Sequence, residues 1–162
     1  MSKHKYTNPK TVAENSGNLK ISKRMLRAAC PDMFGTFGMK IGCRILYKRM
    51  CEFMMLGDAQ PAIVWSLSPF LIAAYSDEMD AVVMVRFNSE LAKKYGIVKG
   101  QHMISINVYL DGKRYGWDIS EDIKIGSGYL GRWIGFHPHI GDLLSDNTEI
   151  IEKHKKNIPE ET

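Results

Sequence analysis

Apolar positions recur along this chain with two different periods. Ile21, Met25, Ala28 and Ala29 fall on one helical face, while Lys20, Lys23, Arg24 and Arg27 occupy much of the remaining surface. Ser22 is a natural N-cap and Pro31 a stop, so the pattern predicts a short, basic amphipathic helix. A second helix is predicted over residues 43–56, with Cys43, Leu46, Tyr47, Met50, Phe53 and Met54 on one face and Arg44, Lys48 and Glu52 in an opposite row. Gly57 would cap its end. Methionines at this spacing read as core filling and not as an adaptable groove.

From Pro61 the period shortens to that of strands. Runs rich in Val, Ile and aromatics predict strands at 62–67, 70–76 and 81–87, the last two joined by the turn Asp77-Glu78-Met79-Asp80. Residues 88–96 predict a two-turn helix with Asn88 as a cap and Gly96 as its end. Residues 102–110 alternate, with Ile104, Ile106, Val108 and Leu110 on one side and Met103, Ser105, Asn107 and Tyr109 on the other, which implies one buried face. Asp111-Gly112 then predicts a tight turn into a partner strand at 113–119, the clearest local hairpin in the chain. Helices that precede and interrupt a strand-rich middle predict an α+β fold: an antiparallel sheet of about five strands with helices packed mainly on one face.

A length of 162 residues suits one domain. Residues 1–20 lack apolar periodicity and are expected to form a flexible basic arm, 21–150 the globular α+β domain, and 151–162 a polar C-terminal tail. With 44% hydrophobic and 25% charged residues, collagen-like, disordered and disulfide-scaffold classes are disfavoured. The first residues show no secretory apolar run. The most apolar window, 62–75, is interrupted by Ser66, Ser68 and Pro69 and falls short of the roughly 20 residues a bilayer demands. Cys30, Cys43 and Cys51 lack metal-site spacing and suit reduced thiols. These features predict a cytoplasmic protein with no membrane partner.

The net charge of +4 hides an asymmetry. Residues 1–50 carry eleven Lys or Arg against Glu14 and Asp32, a net +9, while the remainder carries eleven basic and sixteen acidic residues, a net −5. An anionic partner would meet the N-terminal part first.

Three places invite chemistry. Gly126-Ser127-Gly128-Tyr129-Leu130-Gly131 spells a dinucleotide glycine pattern, but the preceding apolar run is only Ile123-Lys124-Ile125, no helical pattern follows, and 31 residues remain. An adaptable loop is the better expectation, and no cofactor is expected. His137, His139 and Asp142 are ligand types for a divalent transition metal, although Pro138 favours a helix start there, with the two rings diverging. The cysteines, with His102, His137 or His139 as base, match no local nucleophile signature.

The leading expectation is therefore a non-catalytic binding or regulatory domain acting through a protein partner. Its contact surface would be 126–142, where Tyr129, Arg132, Trp133 and Phe136 are residue types enriched at interface hot spots, though such aromatics also close cores. The alternatives are a metal-dependent enzyme using His137, His139 and Asp142, and a nucleic-acid-binding protein using Lys20, Lys23, Arg24 and Arg27. Those four cations are also what a solvated helix displays, and no RNP-like, zinc-finger or helix-turn-helix pattern accompanies them.

Overall fold

The computed structural model describes residues 13–111, 123–125 and 133–158. The chain first forms α1 (Lys23–Ala29), a single 3-10 turn (Pro31–Met33), a small hairpin of β1 (Phe34–Gly35) and β2 (Gly38–Met39), and α2 (Cys43–Leu56). A meander of β3 (Asp58–Leu67), β4 (Phe70–Ser76) and β5 (Ala81–Phe87) follows, then α3 (Ser89–Lys94) and β6 (His102–Asp111), which returns to lie beside β3. It ends with β7 (Ile123–Ile125), β8 (Trp133–Ile140), α4 (Gly141–Leu144) and α5 (Thr148–Lys156). Six strands pair antiparallel in the order β7-β5-β4-β3-β6-β8, so the α+β class expected from the pattern holds, with β8 extending the edge beyond β6.

Residues paired across an antiparallel ladder share a face. One face carries Ala62, Val64, Ile72, Ala74, Met103 and Ile140, which pack under Leu91 and Ala92 of α3 and Leu143 of α4. The opposite face presents Ala59, Ile104 and Ile106 to Leu26 of α1, Met50 and Met54 of α2 and Ile151 of α5. Most helical cover therefore lies on this second face. Among the described residues no helix is long and apolar enough to cross a membrane.

Several expectations need correction. Residues 13–20 were expected in a flexible arm, yet they form a strap across the C-terminal end of α2. Leu19, Asn18 and Ala13 donate backbone N–H groups to the carbonyls of Met54, Met55 and Leu56, at 3.1, 3.1 and 2.9 Å. The Gly57 N–H takes the Phe53 carbonyl at 2.7 Å, so all four terminal carbonyls of α2 are satisfied. Gly17 is required where the strap crosses, because a Cβ there would stand 2.5 Å from the Met54 carbonyl oxygen. Leu19 is wholly buried between α2 and the sheet. The polar tail likewise begins later than residue 151: Ile151 is buried, Asn147 caps α5 by accepting from the Ile150 N–H, and His154 Nε2 lies 3.0 Å from the Gly17 carbonyl.

Within α2, Met50 and Met54 are buried as expected, but Leu46 is 48% exposed, while Cys43 and Tyr47 of the same turns are partly buried against the core. Residues 133–140 run as an edge strand and not into a helix start; β8 pairs with β6 alone, and the edge tolerates Pro138. The polar side of β6 is buried too. Ser105, Asn107 and Tyr109 are sequestered because they bond to one another's neighbours: Ser105 Oγ donates to Asn107 Oδ1 (2.5 Å), Asn107 Nδ2 to the Tyr75 carbonyl (2.7 Å), and Ser76 Oγ to the Tyr109 hydroxyl (3.0 Å). The expected strand at 113–119 and the glycine loop at 126–131 lie outside the described residues.

The strap makes a quantitative expectation. Replacing a wholly buried leucine by alanine costs about 2–5 kcal/mol, which in a domain of this size lowers Tm by about 5–15 °C. Leu19→Ala should show that loss in a thermal melt, while Glu14→Ala, at an exposed position on the same strap, should leave Tm nearly unchanged.

Candidate functional site

Basic side chains from two distant parts of the chain meet in one cleft. α1 buries Met25 and Leu26, which turns Lys23, Arg24 and Arg27 outward on the face that looks toward the β1–β2 hairpin. Lys94, from the last turn of α3, also lines the cleft. Phe34, Gly38 and Met39 of the hairpin and Ala28 of α1 supply the apolar part of the lining, and the cleft has a volume of about 690 Å³. Among the described residues no carboxylate lines it.

Aromatic rings hold the cations in place. Arg27 Cζ stands 5.0 Å from the centroid of the Phe34 ring, Lys23 Nζ 5.7 Å from that of Tyr47 on α2, and Lys94 Nζ 5.6 Å from that of its neighbour Tyr95. Stacking of this kind orients a cation without neutralising it. Among the described residues, none of Lys23, Arg24, Arg27 and Lys94 is paired with a carboxylate. The supporting surface is equally one-sided, since from Met33 to Cys51 the chain has Lys40, Arg44, Lys48 and Arg49 and no Asp or Glu. Such a concentration of unpaired positive charge raises the local potential and attracts anions.

No protein-family model matches the chain, and neither a characterised protein nor a solved structure significantly similar to it was found.

Of the four basic residues singled out in the sequence, three line the cleft; Lys20 is exposed but lies outside the lining. Lys94 was not foreseen. It is 67 positions from Arg27, and only the packing of α3 at this end of the sheet brings it alongside. The hairpin was missed as well, although a glycine on either side of Thr36-Phe37 is a legible two-residue turn.

The histidine patch is placed differently. His137 and His139 share one side of β8, so the expected divergence of the rings at a helix start does not occur. His137 is exposed, whereas the His139 ring packs on Phe53 of α2 with centroids 5.7 Å apart. Asp142 accepts from the Ile104 N–H at 2.9 Å and pairs with Lys155 at 2.5 Å, which ties α4 and α5 to β6. Among the described residues no three His, Cys, Asp or Glu side chains gather as metal ligands. Phe136, expected on a contact surface, is only 4% exposed; it packs on Tyr109 inside the core, ring centroids 6.1 Å apart. Tyr129 and Arg132 lie outside the described residues, as does the side chain of Trp133.

Two further groups have chemistry but an unreactive setting. Tyr109 donates to Asp58 Oδ2 at 3.3 Å, and Gln60 Nε2 donates to the same oxygen at 2.8 Å. Burial, with the Asp58 carboxylate beside it, holds the Tyr109 hydroxyl far above its ordinary pKa, so the phenol stays neutral. Burial and then the Asp32 carboxylate push the Cys30 thiol up, the opposite of what activates a nucleophile.

Burial, only partly offset by backbone hydrogen bonds at Ile106 and His137, holds the His139 imidazole below its ordinary value. Above about pH 6.5 the ring is neutral whether the chain is folded or not; below it the unfolded chain takes up the proton that the folded one resists, so stability falls with pH. Between pH 7 and 5.5, urea titrations should show wild-type stability falling by up to about 1.4 kcal/mol per pH unit from this residue, and His139→Leu should flatten that slope.

Proposed function

We propose that this protein binds nucleic acid, gripping the phosphodiester backbone in the cleft between α1, the β1–β2 hairpin and α3. The observation that carries the reading is the convergence of Lys23, Arg24, Arg27 and Lys94 on one concave surface with no carboxylate among its lining residues. A phosphate chain supplies what that surface lacks, a row of anions spaced closely enough to engage several cations at once, and it releases condensed counterions on binding. Arg24 and Arg27 add planar guanidinium groups that match phosphate oxygens in pairs.

The chemistry is that of holding and not of turnover. The nearest cysteine, Cys30, carries a thiol that its surroundings disfavour as a nucleophile, and Asp142 and His139 are occupied in packing. As a cytoplasmic binding module the chain would keep its three unpaired cysteines reduced. The reading prefers nucleic acid to the protein partner first expected through residues 126–142, because Phe136 belongs to the core while the cations of the cleft have, among the described residues, no carboxylate partner.

Binding should weaken steeply with salt. Four phosphate contacts correspond to a slope of log K against log salt of about −3 on a single strand. Fluorescence anisotropy of a labelled oligonucleotide should give that slope, and the double variant Arg27→Glu, Lys94→Glu should lower affinity at least about tenfold and reduce the slope by about 1 or more. Affinity that is indifferent to salt and to both substitutions would remove the cleft from consideration.

A further inference from the structure

The lip of the basic cleft carries a side chain that phosphate binding alone does not explain. In the β1–β2 hairpin, Phe34 pairs with Met39 and Gly35 with Gly38, so Thr36 and Phe37 form a two-residue turn. Gly38 completes it at φ +117°, a conformation open to glycine and strained for other residues. The turn leaves Phe37 at the tip, 105% exposed, as accessible as in an extended chain. Phe34, Gly38 and Met39, on either side of it in the hairpin, all line the cleft. Among the described residues no ring or cation packs on Phe37, in contrast to Phe34, whose face is taken by Arg27.

We propose that Phe37 is a base-stacking platform, and that the nucleic acid held in the cleft is single-stranded. The inference rests on the cleft being a nucleic-acid site and specifies which form it takes. A free aromatic face beside a row of cations offers both contacts that an unpaired nucleotide makes, its phosphate to the cations and its base to the ring. Bases inside a duplex are already stacked above and below and leave no face for Phe37. The tight turn presents the ring on a short, hydrogen-bonded support, so little side-chain freedom is lost when a base stacks on it.

Ile41 and Ile45, which follow the hairpin in the chain, are also 80% and 71% exposed, and a lipid surface is the competing occupant of exposed apolar side chains of this kind. The shape favours a chain. A bilayer is flat and would meet these exposed apolar side chains, but it does not fill a concavity lined by cations from both α1 and α3.

The test is anisotropy titration of the full chain with a labelled deoxythymidine oligomer of about 16 nucleotides, the upper end for one single-strand-binding unit, beside an abasic oligomer and a duplex of equal length. Wild type, Phe37→Ala, Phe37→Trp and Arg27→Glu are compared, and because Phe37 is fully exposed its two variants should melt as wild type does. The expected result is that Phe37→Ala weakens the deoxythymidine oligomer about tenfold or more while leaving abasic and duplex affinities unchanged, and that Phe37→Trp restores or strengthens binding. Equal affinity of wild type and Phe37→Ala for the single strand, with Arg27→Glu still lowering it, overturns the stacking platform and leaves the basic cleft standing. Failure of wild type to bind any of the three at low salt removes both readings. Sedimentation with phosphatidylserine vesicles that is lost in Phe37→Ala, with oligonucleotide affinity unchanged, overturns the platform in favour of a lipid surface.

Discussion

The C-terminal end of α2 is buried against the sheet, and a helix end without water must find donors for its last carbonyls. The strap at residues 13–19 supplies three of the four, and the rest of the molecule is arranged around that solution. Because the strap lies across α2, Leu19 drops into the core beside Ile104, and the chain leaves it directly into α1. α1 is thereby fixed with Met25 and Leu26 inward and its cations outward. Asn15 is drawn into the same arrangement, its side-chain amide donating to the Ala59 carbonyl at 2.8 Å, so strap, helix and first long strand form one hydrogen-bonded unit. A segment that looks dispensable from its composition therefore sets the orientation of the cleft.

Charge and burial are divided cleanly between the two ends of the fold. The basic cleft keeps its cations in water, where like charges are screened, and three of them, Lys23, Arg27 and Lys94, lean on aromatic rings. Inside the sheet the opposite rule applies. Asp58, Ser76, Ser105, Asn107 and Tyr109 are buried on the face shared with Ala62 and Met103, and each buried group must find partners in place of water. That network ties β3, β4 and β6 together through side chains as well as through the backbone ladder, and it gives the end of the sheet near Ser76 a single register. Polar residues at these positions are part of the core.

Most of the elements were legible along the chain. The bounds of α2, β4 and β5 follow directly from their periods, and β3 and β6 nearly so, because each has apolar residues at unbroken spacing and a turn signal on both sides. The helix at 88–96 appeared as α3, Ser89–Lys94, with Asn88 capping it by accepting from the Glu90 N–H. What misled was polarity taken as exposure. Residues 13–20 and 151–158 are mostly polar, yet single side chains, Leu19 and Ile151, anchor them, and one buried leucine leaves no periodic trace. Ser105, Asn107 and Tyr109 read as a wet strand face for the same reason.

The sequence by itself determined the class of the fold, the hairpin of β4 and β5, and the outward row of cations on α1, since each depends on residues close together in the chain; the return of β6 to the side of β3 does not. Tertiary structure alone decided that Lys94 joins Lys23, Arg24 and Arg27. It also placed Phe136 in the core and His139 on Phe53, and it left Phe37 bare at the lip. Periodicity reports which face of an element is apolar; it does not report which distant element will cover that face, and a binding site is made of the surfaces that packing leaves facing one another.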